Sequence, residues 1–505
     1  MQKIKPILFH LTLFLLILSF SMNALNFDFD LWARLIAGMG VIDGGHVLKQ
    51  DFLSYTPVHT WWDHEWGAGV IFYGVLKFLG PYSLIILQAV LIFLIIFTLT
   101  KIVKLRTNIC PYNIIFYFLA LMGVMGNLNN PIRCHLFSFL FFTVFIYILE
   151  KVRRGNNKLL YLIPAITLFW NNIHGGIVSG MGLLIMYAAG EFLNKKDYKK
   201  YLLTFFISGL VMFINPWGYD YIKFLLMANT MERADVMEWW GIFSKFHMFK
   251  HIPFKFFMAF VCIFETINIS KLLKQNSLKA LYLKADKVKI IVLLGTLYLA
   301  ISHLKLIPFF AIAAVAYTYE DFYKLVENIG LPKWKDKLIY TLLLFTSIFT
   351  LVAKDFSLPV MAETYPIKEV EFIRKNNIKG NILVNFGLGS YVSYKLYPNN
   401  LIFMDGRYEE VYYDYMVPLL KKFYLLNPGW DEILNRFPPD CMILENYYPV
   451  YNYLKNSNQW KVVYESKVFG VFVPAKTAKK NYIQPSNDIK YYKNTLFDTG
   501  INFRK

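Results

Sequence analysis

Two aspartates, Asp28 and Asp30, follow directly on the first apolar run of this chain, with one residue between them. A carboxylate in that position can act as general base toward an acceptor hydroxyl or amine within hydrogen-bond reach. Two such side chains can also hold a divalent cation through oxygen ligands, and an aspartate before a helix is a favoured N-cap. Farther along the same loop, Asp51 precedes Phe-Leu-Ser-Tyr-Thr, and Asp63, His64 and Glu65 sit among Trp61, Trp62 and Trp66. His64 and Glu65 fit metal ligation or catalysis, and fit a solvated helix start equally well. The tryptophans fit anchors at a membrane surface.

The cations are few and widely spaced. Arg133, His135, His174, His303 and Lys305 stand at the ends of apolar runs, with Asn129, Asn130, Asn171, Asn172 and Asn215 beside them. Such residues suit a phosphate or diphosphate, which arginine binds with two parallel hydrogen bonds. The alternative for each is a side chain snorkelling to lipid headgroups. The stretch Trp-Asn-Asn-Ile-His-Gly-Gly, Trp170 to Gly176, reads as a packed polar site, since two glycines allow close approach. In the last third, Phe-Gly-Leu-Gly-Ser from Phe386 lacks the spacing of a phosphate loop and reads as a tight strand-to-helix turn. Met-Asp-Gly-Arg-Tyr-Glu-Glu from Met404 reads as a turn with an Asp405–Arg407 pair in preference to a ligand site.

The elements that must position these residues are mostly apolar helices. The chain has 505 residues, 56% of them hydrophobic and only 17% charged. Continuous apolar runs near the ~20 residues that a spanning helix needs recur along the first two thirds. They predict an α-helical polytopic membrane protein of about eleven spans, near 6–25, 67–99, 110–126, 135–149, 158–171, 176–193, 201–214, 254–270, 288–302, 307–323 and 337–353. Lys3, Lys5 and the small residues Ser21 and Ala24 resemble a signal peptide, but the length of the first run favours a retained helix.

With the N-terminus in the cytoplasm, the inner connections carry about 23 Lys and Arg and the outer ones about 9. This orientation puts the polar motifs and the C-terminal part on the outer face of a plasma (inner) membrane, in the periplasm or outside the cell. The net charge of +19 is spread in short clusters between apolar runs. That pattern fits topology and anionic lipid, and no nucleic-acid reader motif is present. Cys110, Cys134, Cys262 and Cys441 lack metal or redox spacing, and the first three read as buried small hydrophobes.

Residues 1–357 thus form the membrane part, with a first outer loop at 26–66 in which Asp-Leu-Trp-Ala-Arg-Leu-Ile-Ala-Gly predicts a helix lying along the interface. From 358 to 476 the runs shorten to strand length and alternate with helical patterns. They predict a small α/β domain: helix at Tyr365–Asn377, strands at Gly380–Gly387 and Asn400–Tyr408, a short helix in Pro428–Pro439, a buried strand at Cys441–Asn446, and a closing hairpin in Trp460–Ala475. Residues 477–505 are a basic, polar tail expected to pack poorly.

At this point the arrangement resembles the glycosyltransferase C superfamily, whose members have many spans, acidic residues in a first outer loop, a juxtamembrane helix and a C-terminal outer domain. It is similar in particular to a group of bacterial membrane proteins within it. The matching segments are Asp30–Gly38 (one residue shorter than the usual spacing), Asp51–Thr56, His64–Trp66, Trp170–Gly176, Asn215–Gly218, and Gly389–Arg407 with Ser390 ahead of Tyr391. The resemblance covers nearly the whole chain.

It implies transfer of a sugar from a polyprenyl-phosphate donor to an extracytoplasmic glycan, lipid or protein. Asp30 is then the first choice for catalytic base and Asp28 the second, with Arg133, His174, Asn172, His303, Lys305, His64, Glu65 and Asp51 as candidates for binding donor phosphate or substrate. The cofactor stays open: a divalent cation is compatible, and no decisive metal set is encoded. Two other classes remain beside this one, a transporter or flippase for a lipid-linked glycan and a non-catalytic partner in envelope glycan assembly. Neither repeated halves nor broken mid-membrane helices are evident, as a transporter would favour.

Overall fold

The structure, a computed structural model, describes residues 4–22, 27–128, 131–231, 233, 236–275, 285–328, 334–353, 358–359 and 361–503. Asn129 and Asn130 lie outside the described residues. The chain divides into two compact units. The first comprises Met1–Asn23, Ile85–Asn130 and Cys134–Phe356; the second comprises Ala24–Leu84, Pro131–Arg133 and Ser357–Lys505.

The first unit is built of apolar helices. Among the described residues three are long and apolar enough to cross a membrane: Ser83–Thr107, His135–Arg153 and Ile252–Lys271. Other apolar helices, such as Pro6–Ser21, Ile177–Leu193 and Tyr340–Ala353, are shorter. The run expected at 67–99 is two helices, Trp66–Leu79 and Ser83–Thr107. They part at Gly80, which takes a left-handed φ of 80°, and Pro81, which has no N–H to continue the ladder. Two arginines of the basic clusters do more than set topology. Arg106 pairs with the wholly buried Glu150 at 2.8 Å, and Arg153 bridges Glu191 and Asp286 at 2.6 and 2.8 Å. Of the three cysteines expected to be buried, Cys134 is, whereas Cys110 is exposed and Cys262 half-buried.

The second unit is centred on a five-stranded sheet in the order β2-β1-β3-β5-β4, where β1 is Gly380–Val384, β2 Asn400–Ile402, β3 Cys441–Glu445, β4 Trp460–Glu465 and β5 Phe469–Pro474. β1 lies parallel between β2 and β3, and β5 runs antiparallel to both β3 and β4. A strand flanked on both sides inside such a sheet is mostly apolar, and every residue of β3 is buried, the closing Glu445 included. The helix Phe386–Leu396 returns the chain from β1 to β2. Its cap is Asn385, whose side chain accepts from Gly387 N, and Gly389 passes the Met404 carbonyl too closely for any Cβ. The glycines of that segment therefore make a turn and a tight crossing.

The first loop belongs to this unit. Leu53 to Thr56 runs beside β2: Ile402 N donates to Leu53 O at 2.9 Å, Tyr55 N to Ile402 O at 3.1 Å, and Thr56 Oγ1 to Phe403 O at 2.7 Å. The helix expected along an interface, Leu31–Ile42, is buried from Leu31 to Gly40. It packs on Trp66–Leu79 where Gly38 faces the Gly69 carbonyl. Trp61 is likewise wholly buried rather than a surface anchor, with Nε1 donating to Glu410. The tail is also packed: Lys395 donates to the carbonyls of Thr495 and Asp498, and Tyr492, Leu496 and Ile501 are buried. Lys395, with Tyr394 donating to Phe497 O and Asn376 bonded to the Ile483 backbone, satisfies the backbone of so polar a segment.

Two carboxyls of this unit, Glu369 and Glu445, are pushed up to about 7 chiefly by burial. A raised folded value means that the fold holds these protons more tightly than the unfolded chain does. The stability they supply is full below the ordinary carboxyl range and is lost as pH rises through about 7. The denaturant midpoint, read from exchange of the β3 and β5 amides, should therefore fall between pH 5 and 8. Glu369→Gln with Glu445→Gln should flatten that dependence.

Candidate functional site

Arg133 brings Asp28 and Asp30 together. Its Nε lies 2.9 Å from Asp28 Oδ2, and one terminal nitrogen lies 2.9 Å from Asp30 Oδ2. The two aspartates differ in what else they do. Asp28 Oδ1 accepts from the backbone N–H of Asp30 at 3.1 Å, a short turn made by its own side chain. Asp30 stands at the N-cap of Leu31–Ile42 but makes no side-chain capping bond. Its side chain is 40% exposed, against 13% for Asp28. Capping accounts for neither carboxylate oxygen of Asp30, and Gly406, with no side chain, leaves room beside its Oδ1.

Of the remaining loop acids, Asp43 pairs with Lys77 near the surface, and Asp51, Asp63 and Glu65 are held in buried ion pairs. Asp51 meets Arg407 at 2.6 Å and accepts from Ser54 N at 3.0 Å. Arg407 Nε lies 2.9 and 3.0 Å from the two Asp405 oxygens, and all three side chains are wholly buried. The expected Asp405–Arg407 turn pair is thus present, and it captures Asp51 as well. Asp51 is engaged in holding the loop to the sheet.

A second network surrounds Arg34. Its guanidinium pairs with Asp63, with Glu65 Oε2 at 3.3 Å and with Glu410 Oε2 at 2.9 Å. His64 Nδ1 is 2.9 Å from Glu410 Oε1, and its Nε2 is 3.7 Å from Glu65 Oε1. Burial pushes the Asp63 carboxyl up to about 6 against the pull of Arg34, and the charges of Glu410 and Glu65 add to the rise. Burial alone would lower the His64 imidazole, but the adjoining Glu410 carboxylate outweighs it and carries the ring up to about 9. Glu410 is held below the usual range, because Arg34 and His64 together exceed the cost of burying it. Arg34 and Glu410 were not singled out in the sequence. The available signal was an arginine inside an otherwise apolar helix, which needs a counter-charge.

The candidates in the first unit fall in two groups. His174 Nδ1 accepts from Gly176 N at 3.0 Å and lies 2.6 Å from Ser138 Oγ, which also accepts from Trp170 Nε1. A backbone donor on Nδ1 places the ring proton on Nε2. The ring packs on His135 with centroids 4.5 Å apart. Asn172 donates to the carbonyls of Leu168 and Ile214, and Asn171 to that of Met212. The polar packing expected of Trp170 to Gly176 is therefore present. In the other group, His303 Nδ1 lies 2.7 Å from Trp239 O, and Lys305 and Arg233 both lie over the Trp239 ring, at 3.3 and 4.1 Å.

No protein-family model and no curated protein sequence matches the chain.

Removing Arg407 would strand two buried carboxylates. Arg407→Ala should destabilise the second unit by about 3–5 kcal/mol in denaturant unfolding. Arg407→Lys should recover little of this, because an ammonium cannot serve Asp51 and Asp405 with one planar fork.

Proposed function

We propose that the protein is a multi-pass membrane glycosyltransferase that moves a sugar from a polyprenyl-phosphate donor to an extracytoplasmic acceptor, with Asp30 as catalytic base. The observation that carries this reading is the division of labour among the acids of the first loop. Asp51, Asp63 and Glu65 are buried in ion pairs, and Asp28 holds a turn. Asp30 is partly exposed, does not cap its helix, and shares a guanidinium.

A base must reach a substrate proton, which a buried paired carboxylate cannot do. In the reaction an acceptor hydroxyl attacks the anomeric carbon. The new C–O bond forms as the bond to the donor phosphate breaks, and the hydroxyl proton passes to Asp30. The leaving phosphate carries the electron pair and is met by Arg133, whose fork suits phosphate oxygens. Asp28, bonded to the Asp30 backbone, positions both.

Membrane residence is supported by side chains that water would not tolerate together. Leu203, Phe206 and Leu210 on one helix are 61–70% exposed, and Phe345, Phe349 and Val352 on another are 62–80% exposed. Apolar patches on this scale suit lipid. The charge asymmetry of the connections supports a cytoplasmic N-terminus and an outer C-terminal unit.

Transfer of radiolabelled sugar from polyprenyl-phosphate donors, by purified protein in detergent, tests the reading. Asp30→Asn should lower transfer at least about 100-fold while leaving the unfolding midpoint unchanged. Arg133→Ala should raise the donor KM. Full activity in Asp30→Asn would refute the assignment of the base.

A further inference from the structure

The network around Arg34 holds more anionic charge than a single guanidinium balances. Asp63, Glu65 and Glu410 are three carboxylates, all buried, around one arginine. Even with His64 counted as an imidazolium, three carboxylates leave the cluster one positive charge short, which burial makes costly.

The oxygens are also divided by direction. Glu65 and Glu410 each give Oε2 to Arg34 and turn Oε1 to His64. One donor atom each from His64, Glu65 and Glu410 lies within 4.8 Å of the others. Three donors on one ion at ~2.1 Å stand ~3.4 Å apart in a tetrahedral site, so a small side-chain contraction brings them together. Arg34 sits on the opposite oxygens and is not displaced.

An independent observation comes from Asp63. The residue is 1% exposed, one oxygen faces Arg34, and Oδ2 is buried with no hydrogen-bond partner among the described residues. A buried carboxylate oxygen in that state needs an explanation, and a nearby cation or its bound water supplies one. His64 and Glu65 keep 21% and 11% of their side chains exposed, which gives an ion a way in from solvent.

We propose that His64, Glu65 and Glu410 bind one divalent transition-metal ion, with Asp63 supporting it. An imidazole with two carboxylates favours zinc or manganese over magnesium or calcium, whose sites are built from oxygen alone. Three protein ligands leave a coordination position for water or substrate. The site does not depend on the transferase reading, since either can hold without the other.

The test uses the full chain purified in detergent, stripped with chelator and dialysed against Zn2+ alone or Mn2+ alone, with ion content measured per chain. One equivalent is expected, together with a rise in melting temperature on adding the ion. His64→Gln and Glu65→Gln should each weaken binding at least tenfold and abolish that rise, while retaining a cooperative melt without the ion. His46→Gln, which removes an exposed imidazole elsewhere in the unit, should leave one equivalent in place. Absence of stoichiometric ion from the wild type with both metals would overturn the site. So would unchanged binding in both His64→Gln and Glu65→Gln, or loss of the ion in His46→Gln.

Discussion

A guanidinium withdrawn from water must be met by carboxylates at hydrogen-bond distance, and two such guanidiniums hold the second unit together. Arg407 gathers Asp405 from its own turn and Asp51 from the first loop, 356 residues away in sequence. Arg34 gathers Asp63 and Glu65 from that loop and Glu410 from the segment after β2. Breaking either set leaves buried charge without compensation, a cost that a marginally stable fold does not absorb. The first loop is therefore part of the sheet's fold. The position of Asp30 follows from this, because the helix bearing Arg34 begins immediately after it and Gly406, beside Arg407, adjoins its carboxylate.

The same constraint separates sealed acids from one that stays partly open. A carboxylate sealed against an arginine cannot meet a substrate, as with Asp51 and Asp405. Asp30 keeps a shared guanidinium and an open side. Between these extremes lies the His64 cluster, buried enough to need balancing charge and open enough to admit an ion.

Much of the second unit was legible in the sequence. The helix at Ile367–Lys375, the strands β1 and β3, and the β4–β5 hairpin follow from apolar runs of strand length bounded by glycine, asparagine and proline. The pairing of Asp405 with Arg407 was also readable, since the two are neighbours across one glycine. What could not be read was every contact set by long sequence separation. Trp61 and the helix Leu31–Ile42 have the composition of membrane-surface elements, and only the distant Glu410 and Tyr365 reveal them as core. Arg106 and Arg153 look like topology charges until Glu150, Glu191 and Asp286 are in place around them. Of the proposed site, the acidic pair was visible from spacing. The difference between Asp28 and Asp30 was not, because it depends on which side chain turns back to the backbone.

The first loop and the C-terminal sheet should unfold as one body, since Asp30 is placed only by their union. Hydrogen exchange of the full chain in detergent tests it most directly, through the amides of Tyr55, His59 and Trp62, which donate to Ile402, Val411 and Glu410. These amides should share the protection of β1 and β3, and should lose it together with them in Arg407→Ala. Loop amides that exchange freely while the strands stay protected would contradict it.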